Sequence, residues 1–285
     1  MTLNEARTVL TKELNKVYDN DELRNIIELV MEHITNMPRA EQVKNKIPYL
    51  TCTQLEDLDA ITERLKRNEP VQYVLSEAWF AGMKFKVNKN VLIPRPETEE
   101  LVDWMAKEAM SNELRTASII DIGTGSGCIP ITLKKKLPSA DVTAIDVCSE
   151  ALFTATENAI ALNAEIDFLL LDFLDEEKWK ELEQYDIIVS NPPYVKQSEI
   201  SSMHERVKEF EPHLALFVPD NDALLFYKKL SGFSVTHLHR GGSLFVEINE
   251  GLGEQVVNTF RSAGLSNIEL RKDMQGKDRM IKAMR

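Results

Sequence analysis

DIGTGSGCIPITL, residues 121–133, is the stretch on which the fold turns. It continues the apolar run that begins at Ser118 and leads into a helical pattern, so its glycines fall on a strand-to-helix turn. Glycine there lets the backbone take positive φ and approach a ligand closely. The spacing is G-x-G-x-G. A dinucleotide fingerprint would need glycine at 128, where Cys128 stands, and a P-loop would need a lysine before Lys134. Both phosphate-binding readings are weakened. Taken alone, the loop is also what a tight strand-to-helix turn requires.

Outward from this loop, strand and helix patterns alternate. Strands are expected at Ser118–Ile122, Asp141–Asp146, Ile166–Leu171, Tyr185–Ser190 and Ser243–Ile248, with helices at about 126–136, 149–163, 222–237 and 252–263. Short apolar strands joined by helices imply right-handed βαβ units and a parallel sheet. Residues 266–285, with a turn at Gly276, read as two strands without a helix between them, an antiparallel hairpin at one sheet edge. The fold class is therefore α/β.

Asp146 ends the second strand, where an acid can accept hydrogen bonds from both hydroxyls of a ribose. A ribose-binding acid beside a glycine loop without phosphate machinery suits a nucleoside ligand such as S-adenosylmethionine. Asp121, before the first glycine, can hold the loop or the ligand's ammonium. The fourth strand runs directly into Asn191-Pro192-Pro193-Tyr194, which places the tetrapeptide beyond a strand's carboxyl end, in the same crevice as the glycine loop. A planar NH₂ group has two donors, and the Asn191 side-chain oxygen and the Pro192 carbonyl are two acceptors for it. The prolines stiffen the turn and offer no competing N–H. Tyr194 can stack on a flat amide or base and tolerates a nearby cation. The alternative for this tetrapeptide is a proline-rich turn capped by asparagine.

Upstream, residues 1–69 read as successive helices: Leu3, Ala6, Leu10 and Leu14, then Leu23, Ile26, Ile27, Val30 and Ile34, recur at helical spacing. Asn20 or Asp21 is the expected cap of the second helix. A third helical segment is expected through Val43 and Ile47 to Pro48, and a fourth from Thr53 to about Arg67. Residues 71–93, rich in aromatic and β-branched types, read as a hairpin-like connector. A further helix is expected from near Glu97 through Leu101, Val102 and Met105. Two domains result: a helical bundle for docking at 1–76, then the connector and α/β domain at 77–285.

The 285 residues carry 34 Lys and Arg against 46 Asp and Glu, a net charge of −12. Of these, 10 basic and 13 acidic residues lie in 1–76, and 24 and 33 beyond it. This counts against non-specific grip on nucleic acid without excluding a local basic site. No run approaches the roughly 18 apolar residues of a membrane span, and the N-terminus lacks a signal-peptide pattern. Three dispersed cysteines (52, 128, 148) and five histidines (33, 204, 213, 237, 239) form no ligand pairs, so no metal is expected. A reducing, cytoplasmic setting fits this cysteine usage. His237 and His239 read as a helix end or loop, and Lys134-Lys135-Lys136 as a solvated helix end.

Five segments, PVQYVLSEAWFAGMKF (70–85), VLIPRPETEELVDW (91–104), DIGTGSGCIPITL (121–133), IVSNPPYV (188–195) and DMQGKDRMI (273–281), occur in the order found in the PrmC/HemK family. The chain resembles these peptide chain release factor glutamine methyltransferases. NPPY alone is shared with DNA adenine methyltransferases; IPRPETEELV with NPPY is much more specific. The resemblance implies a small N-terminal helical bundle before a seven-stranded, Rossmann-like class I methyltransferase domain. It implies methyl transfer from S-adenosyl-L-methionine, leaving S-adenosyl-L-homocysteine, to the glutamine amide of a Gly-Gly-Gln motif in release factors. By motif, Gly123, Thr124, Gly125 and Gly127 would line the cofactor, Asp146 would take its ribose, and Asp172-Phe173 would flank the adenine. Asn191 to Tyr194 would bind the glutamine, with Asn191 also near the cofactor, and Arg95, Glu97 and Thr98 would lie close by. One departure is Ser76, where the family pattern has glycine. Glu247, at the end of the fifth strand, faces the crevice, the core edge or a binding partner.

Two other readings stand beside this one. The first is a methyltransferase for a ribosomal-protein glutamine or for the exocyclic amine of adenine, although no target-recognition insert for DNA is evident. The second is a non-catalytic module retaining a cofactor fold, against which the intact GTGSG and NPPY argue.

Overall fold

The computed structural model describes residues 1–45, 49–111 and 116–285 and divides the chain into two compact units, Met1–Glu77 and Ala78–Arg285. In the first, α1 (Leu3–Leu14), α2 (Asn20–Thr35), α3 (Arg39–Asn45), α4 (Cys52–Lys66) and the short α5 (Val71–Leu75) follow one another. Thr2 with Glu5, and Thr51 with Gln54, form reciprocal capping boxes that satisfy the first free N–H groups of α1 and α4. The cap of α2 is Asp19, not Asn20 or Asp21, because the Asp19 carboxylate accepts from the backbone N–H of Asp21 and Glu22. Leu10, Leu14, Met31 and Leu65 are wholly buried at the centre of this bundle. The stretch expected through Ile47 and Pro48 lies outside the described residues beyond Asn45.

The connector differs from the sequence reading at its start. Residues 71–75 are helical rather than extended, because Val74 and Leu75 complete the bundle's core. The Arg64 guanidinium donates to the Tyr73 and Val74 carbonyls that the helix end leaves free. Ser76 ends the helix at φ 57°, the left-handed conformation that glycine would adopt most easily.

The hairpin proper is β1 (Glu77–Phe80) and β2 (Met83–Lys86). Its two turn residues, Ala81 and Gly82, both have positive φ, as a tight two-residue turn needs. α6 (Pro96–Ser111) follows, then β3 (Ser118–Ile122), α7 (Cys128–Lys136), β4 (Asp141–Asp146), α8 (Ser149–Ala161), β5 (Asp167–Leu170) and β6 (Tyr185–Ser190). After the NPPY turn come β7 (Val195–Lys196), α9 (Glu205–Phe210), α10 (His213–Leu216) and β8 (Phe217–Val218), a segment without a clear sequence pattern. The chain closes with α11 (Leu225–His237), β9 (Leu238–Glu247), α12 (Gly253–Ser262), β10 (Ser266–Lys272) and β11 (Asp278–Met284).

The seven-stranded sheet has the order β10-β11-β9-β6-β3-β4-β5. Its strands are parallel except β11, which pairs antiparallel with both β9 and β10. One face buries Leu101 and Met105 of α6 with Ile131 and Leu133 of α7; the other buries Tyr227, Leu230 and Phe233 of α11 with Val256 and Phe260 of α12. β9 starts five residues earlier than the apolar pattern suggests, so His239 to Gly242 belong to a strand, not a loop. Its pairing with β6 slips there, and a side chain on Gly242 would meet the Asp186 carbonyl at 2.9 Å, so only glycine fits this bulge.

Candidate active site

From β3 the chain steps through β4 and β5 on one side, then returns to lay β6 on the other. That reversal opens a crevice at the carboxyl ends of β3 and β6, where ligands of open α/β sheets bind. The Ser190 hydroxyl donates to the Ile122 carbonyl at 2.7 Å, tying the two strand ends together. The glycine loop leaves one end and Asn191-Pro192-Pro193-Tyr194 leaves the other.

Gly123, Gly125 and Gly127 all have positive φ. Added side chains at 123 and 125 would meet nothing within 4 Å, so the loop is open on that side. Gly127 is different: its Cβ would lie 3.0 Å from Ala155 Cβ and 3.1 Å from Ile131 Cδ1, so it allows α7 to pack on α8. Asp146 organises the loop, accepting from the N–H groups of Gly125 (2.8 Å) and Cys148 (2.9 Å). Cys128, at the position where a dinucleotide loop has glycine, is buried, which pushes its thiol up to about 12 and keeps it inert.

Asp121 is fully buried, and neither carboxylate oxygen has a hydrogen-bond partner among the described residues. Burial pushes its carboxyl up to about 7, with the nearby Thr124 hydroxyl opposing and the charge of Asp146 reinforcing the shift. The Thr124 hydroxyl is unpartnered as well. An orphaned acid under an open glycine loop matches a ligand that brings a cation, so these residues fit S-adenosylmethionine and its ammonium.

Across the crevice, the Asn191 side-chain nitrogen donates to Thr98 Oγ1 at 3.1 Å, and the Thr98 hydroxyl donates to Glu247 Oε2 at 2.6 Å. The Tyr194 hydroxyl donates to Glu247 Oε1 at 3.2 Å. Thr98 and Glu247 are buried; burial raises the Glu247 carboxyl, and the Thr98 hydrogen bond and Arg279 oppose the shift. Burial, reinforced by the Glu247 charge, also raises the Tyr194 phenol far above its ordinary range, so it stays a neutral donor. Thus the Asn191 nitrogen is engaged inside the protein and its oxygen is left for a ligand.

Arg95 bonds Glu211 at 2.5 Å, and the other Glu211 oxygen accepts from the Ile93 N–H at 3.3 Å. Glu211 thereby clamps the IPRPE segment to the stretch between α9 and α10. The sequence carried no signal for Glu211, and it left Thr98 and Glu247 without assigned roles. Asp172 lies exposed and caps the Leu174 N–H. The Phe173 ring is buried, stacked on Trp179 and edge-on to Phe233, so what it can offer an adenine is backbone rather than an exposed ring face. Among the described residues, no three His, Cys, Asp or Glu side chains are grouped to hold a metal ion, and no helix is long and apolar enough to cross a membrane.

The strand order, the antiparallel β11 and the loops at the ends of β3 and β6 define a Rossmann-like class I methyltransferase domain. The fold matches that of the hMettl16 catalytic domain in complex with MAT2A 3'UTR hairpin 6, at a TM-score of 0.54 and 15% identity over 82% of each chain. Residues 98–215 match the "Methyltransferase small domain" family and residues 5–75 the "PrmC N-terminal domain" family. The chain is 42% identical to the release factor glutamine methyltransferase of Flavobacterium psychrophilum over 99% of both chains. It is 37% identical to the enzyme of that name from Bacteroides thetaiotaomicron, over 99% of this chain and all of the relative. The chain belongs to the release factor glutamine methyltransferase family.

Proposed function

We propose that the protein transfers the methyl group of S-adenosyl-L-methionine to the side-chain amide nitrogen of the glutamine in the Gly-Gly-Gln motif of peptide chain release factors, with S-adenosyl-L-homocysteine as the second product. The observation that carries this reading is the Asn191 carboxamide, whose nitrogen donates to Thr98, which would leave its oxygen to act as the acceptor for a substrate amide. An amide nitrogen is a poor nucleophile because its lone pair is delocalised into the carbonyl. The Asn191 oxygen and the Pro192 carbonyl can each accept one N–H of the substrate amide. This raises electron density on its nitrogen and aims the lone pair at the methyl carbon, so positioning and electrostatics supply the acceleration. The bound cofactor would supply the methyl from its sulfonium, the new N–CH₃ bond replacing the S–CH₃ bond, and the alkylated amide would lose its proton to water.

When bound, the cofactor supplies an electrophilic methyl group on a cationic sulfur. Asp146 would hold its ribose, the loop from Gly123 to Gly127 would pass against it, and Asp121 would meet its ammonium. Asp172 and the Phe173 backbone would border the adenine. The bundle at 1–76 would dock the release factor, and residues 77–285 would carry the chemistry. The protein's excess acid suits a protein substrate whose tip enters the crevice better than a duplex laid across it. Incubation with labelled S-adenosylmethionine and, separately, release factor, ribosomal protein and DNA tests the reading. Label on the Gly-Gly-Gln glutamine, lost in Asn191→Ala, is the expected result; label confined to ribosomal protein or DNA overturns it.

A further inference from the structure

We infer that Thr98 and Glu247 are positioning residues that fix which way round the Asn191 carboxamide sits. The inference rests on the amide-binding role proposed above. A carboxamide has a donating and an accepting end of nearly the same shape, and only the accepting end facing outward can take an N–H from a substrate amide. Reversed, Asn191 would set its own NH₂ against the substrate's NH₂, donor against donor.

Nothing in the NPPY turn itself decides between these orientations. The decision comes from a chain of hydrogen bonds with one direction. The Thr98 hydroxyl has a single proton, and it points to Glu247 Oε2 at 2.6 Å. Toward Asn191, therefore, Thr98 offers only lone pairs, and only the NH₂ end can meet them, at 3.1 Å. The other Glu247 oxygen receives the Tyr194 hydroxyl, so a single carboxylate sets both ends of the tetrapeptide.

The fold supplies this arrangement. Ser190 of β6 is paired with Val246 of β9, so Glu247 emerges beside Asn191 at the same sheet end. Thr98, in the first turn of α6, fills the space between them and is almost entirely buried. The backbone carbonyl of Glu247 is fixed in turn by the Tyr227 hydroxyl at 3.2 Å. Thr98 and Glu247, at the centre of this chain of contacts, are both buried, which leaves the Thr98 hydroxyl few partners to choose from.

The test compares wild type with Thr98→Val, which keeps the shape and removes the hydroxyl, Thr98→Ser, which keeps the hydroxyl, and Glu247→Leu, which removes the acceptor and frees the Thr98 proton to turn to Asn191. Turnover on a release factor, S-adenosyl-L-homocysteine affinity by calorimetry and thermal midpoint are measured for each. Thr98→Val and Glu247→Leu are expected to lower kcat by roughly 10- to 100-fold, the effect of misplacing a reacting group, with cofactor affinity changed less than about 2-fold because the Asp121–Asp146 side is untouched. Thr98→Ser is expected to keep most of the rate. Equal kcat in wild type and Thr98→Val, or equal losses in the serine and valine variants, overturns the inference. A wild type inactive on release factor overturns the proposed function instead. The positioning is then read without substrate, from the Asn191 side-chain amide resonance in nitrogen-15 spectra. It is expected to be exchange-protected in wild type and Thr98→Ser and unprotected in Thr98→Val; identical protection in all three overturns the inference. If Thr98→Val does not fold, the same comparison of Glu247→Leu with wild type decides.

Discussion

Asp121→Asn is expected to remove a pH dependence of stability that the wild-type apoprotein carries at neutral pH. The buried carboxyl titrates at about 7 in the folded chain and near its ordinary 3.8 when unfolded. Between these values the folded state binds the proton that the unfolded state has lost, so stability falls as pH rises. The favourable contribution is complete below about pH 4 and is lost as pH passes through about 7. The separation corresponds to about 4 kcal/mol, a large part of a typical domain's total stability. Urea unfolding of both proteins without cofactor, from pH 4 to 8, measures the effect. The amide that replaces the carboxyl adds a constant offset, and the raised carboxyls of Asp146 and Glu247 titrate in both proteins. The stability difference between the two proteins is therefore expected to shift by about 4 kcal/mol in favour of asparagine across this range. S-adenosyl-L-homocysteine, whose ammonium would pair with the ionised acid, is expected to bind the variant more weakly and to release protons on binding wild type near pH 7. A difference flat to within about 1 kcal/mol from pH 4 to 8 would refute the reasoning.

Gly127→Ala is expected to cost about 2–4 kcal/mol in urea unfolding, from left-handed strain and the 3.0 Å approach to Ala155, whereas Gly125→Ala, with open space around it, costs only the strain of about 1–2 kcal/mol; equal costs would refute the packing role of Gly127. Asp146→Ala is expected to weaken cofactor binding by roughly 10- to 100-fold through lost charged hydrogen bonds, and unchanged affinity in calorimetry would remove its ribose role. Arg95→Ala leaves the buried Glu211 carboxylate without its cation and is expected to destabilise by roughly 2 kcal/mol, below the range for fully buried pairs because Arg95 is a third exposed. Glu211→Gln should cost less, and denaturant midpoints of the two variants decide the order.

What could be read along the chain was whatever repeats or concentrates locally. Apolar periodicity located β3, β4 and β6 to the residue, since strands buried on both faces must be continuously apolar. It misjudged the start of β9, because Gly241 and Gly242 break the pattern that the strand itself continues through. It also took residues 71–75 as extended, since their β-branched content outweighed a packing demand that only the bundle imposes. The glycine loop and NPPY declared themselves because each is contiguous and each residue type has a chemical reason.

Local pattern along the chain set the alternating α/β plan, the loops at the ends of β3 and β6, and the acids Asp121 and Asp146 beside the glycine loop. The tertiary structure decided how Asn191 is held. Thr98 lies 93 residues before Asn191 in the chain and 149 before Glu247, and Arg95 lies 116 before Glu211. No local pattern encodes such pairs. They meet because the sheet lays β9 beside β6 and packs α6 over that end, where burial allows each polar atom few partners and so sets the direction of every hydrogen bond.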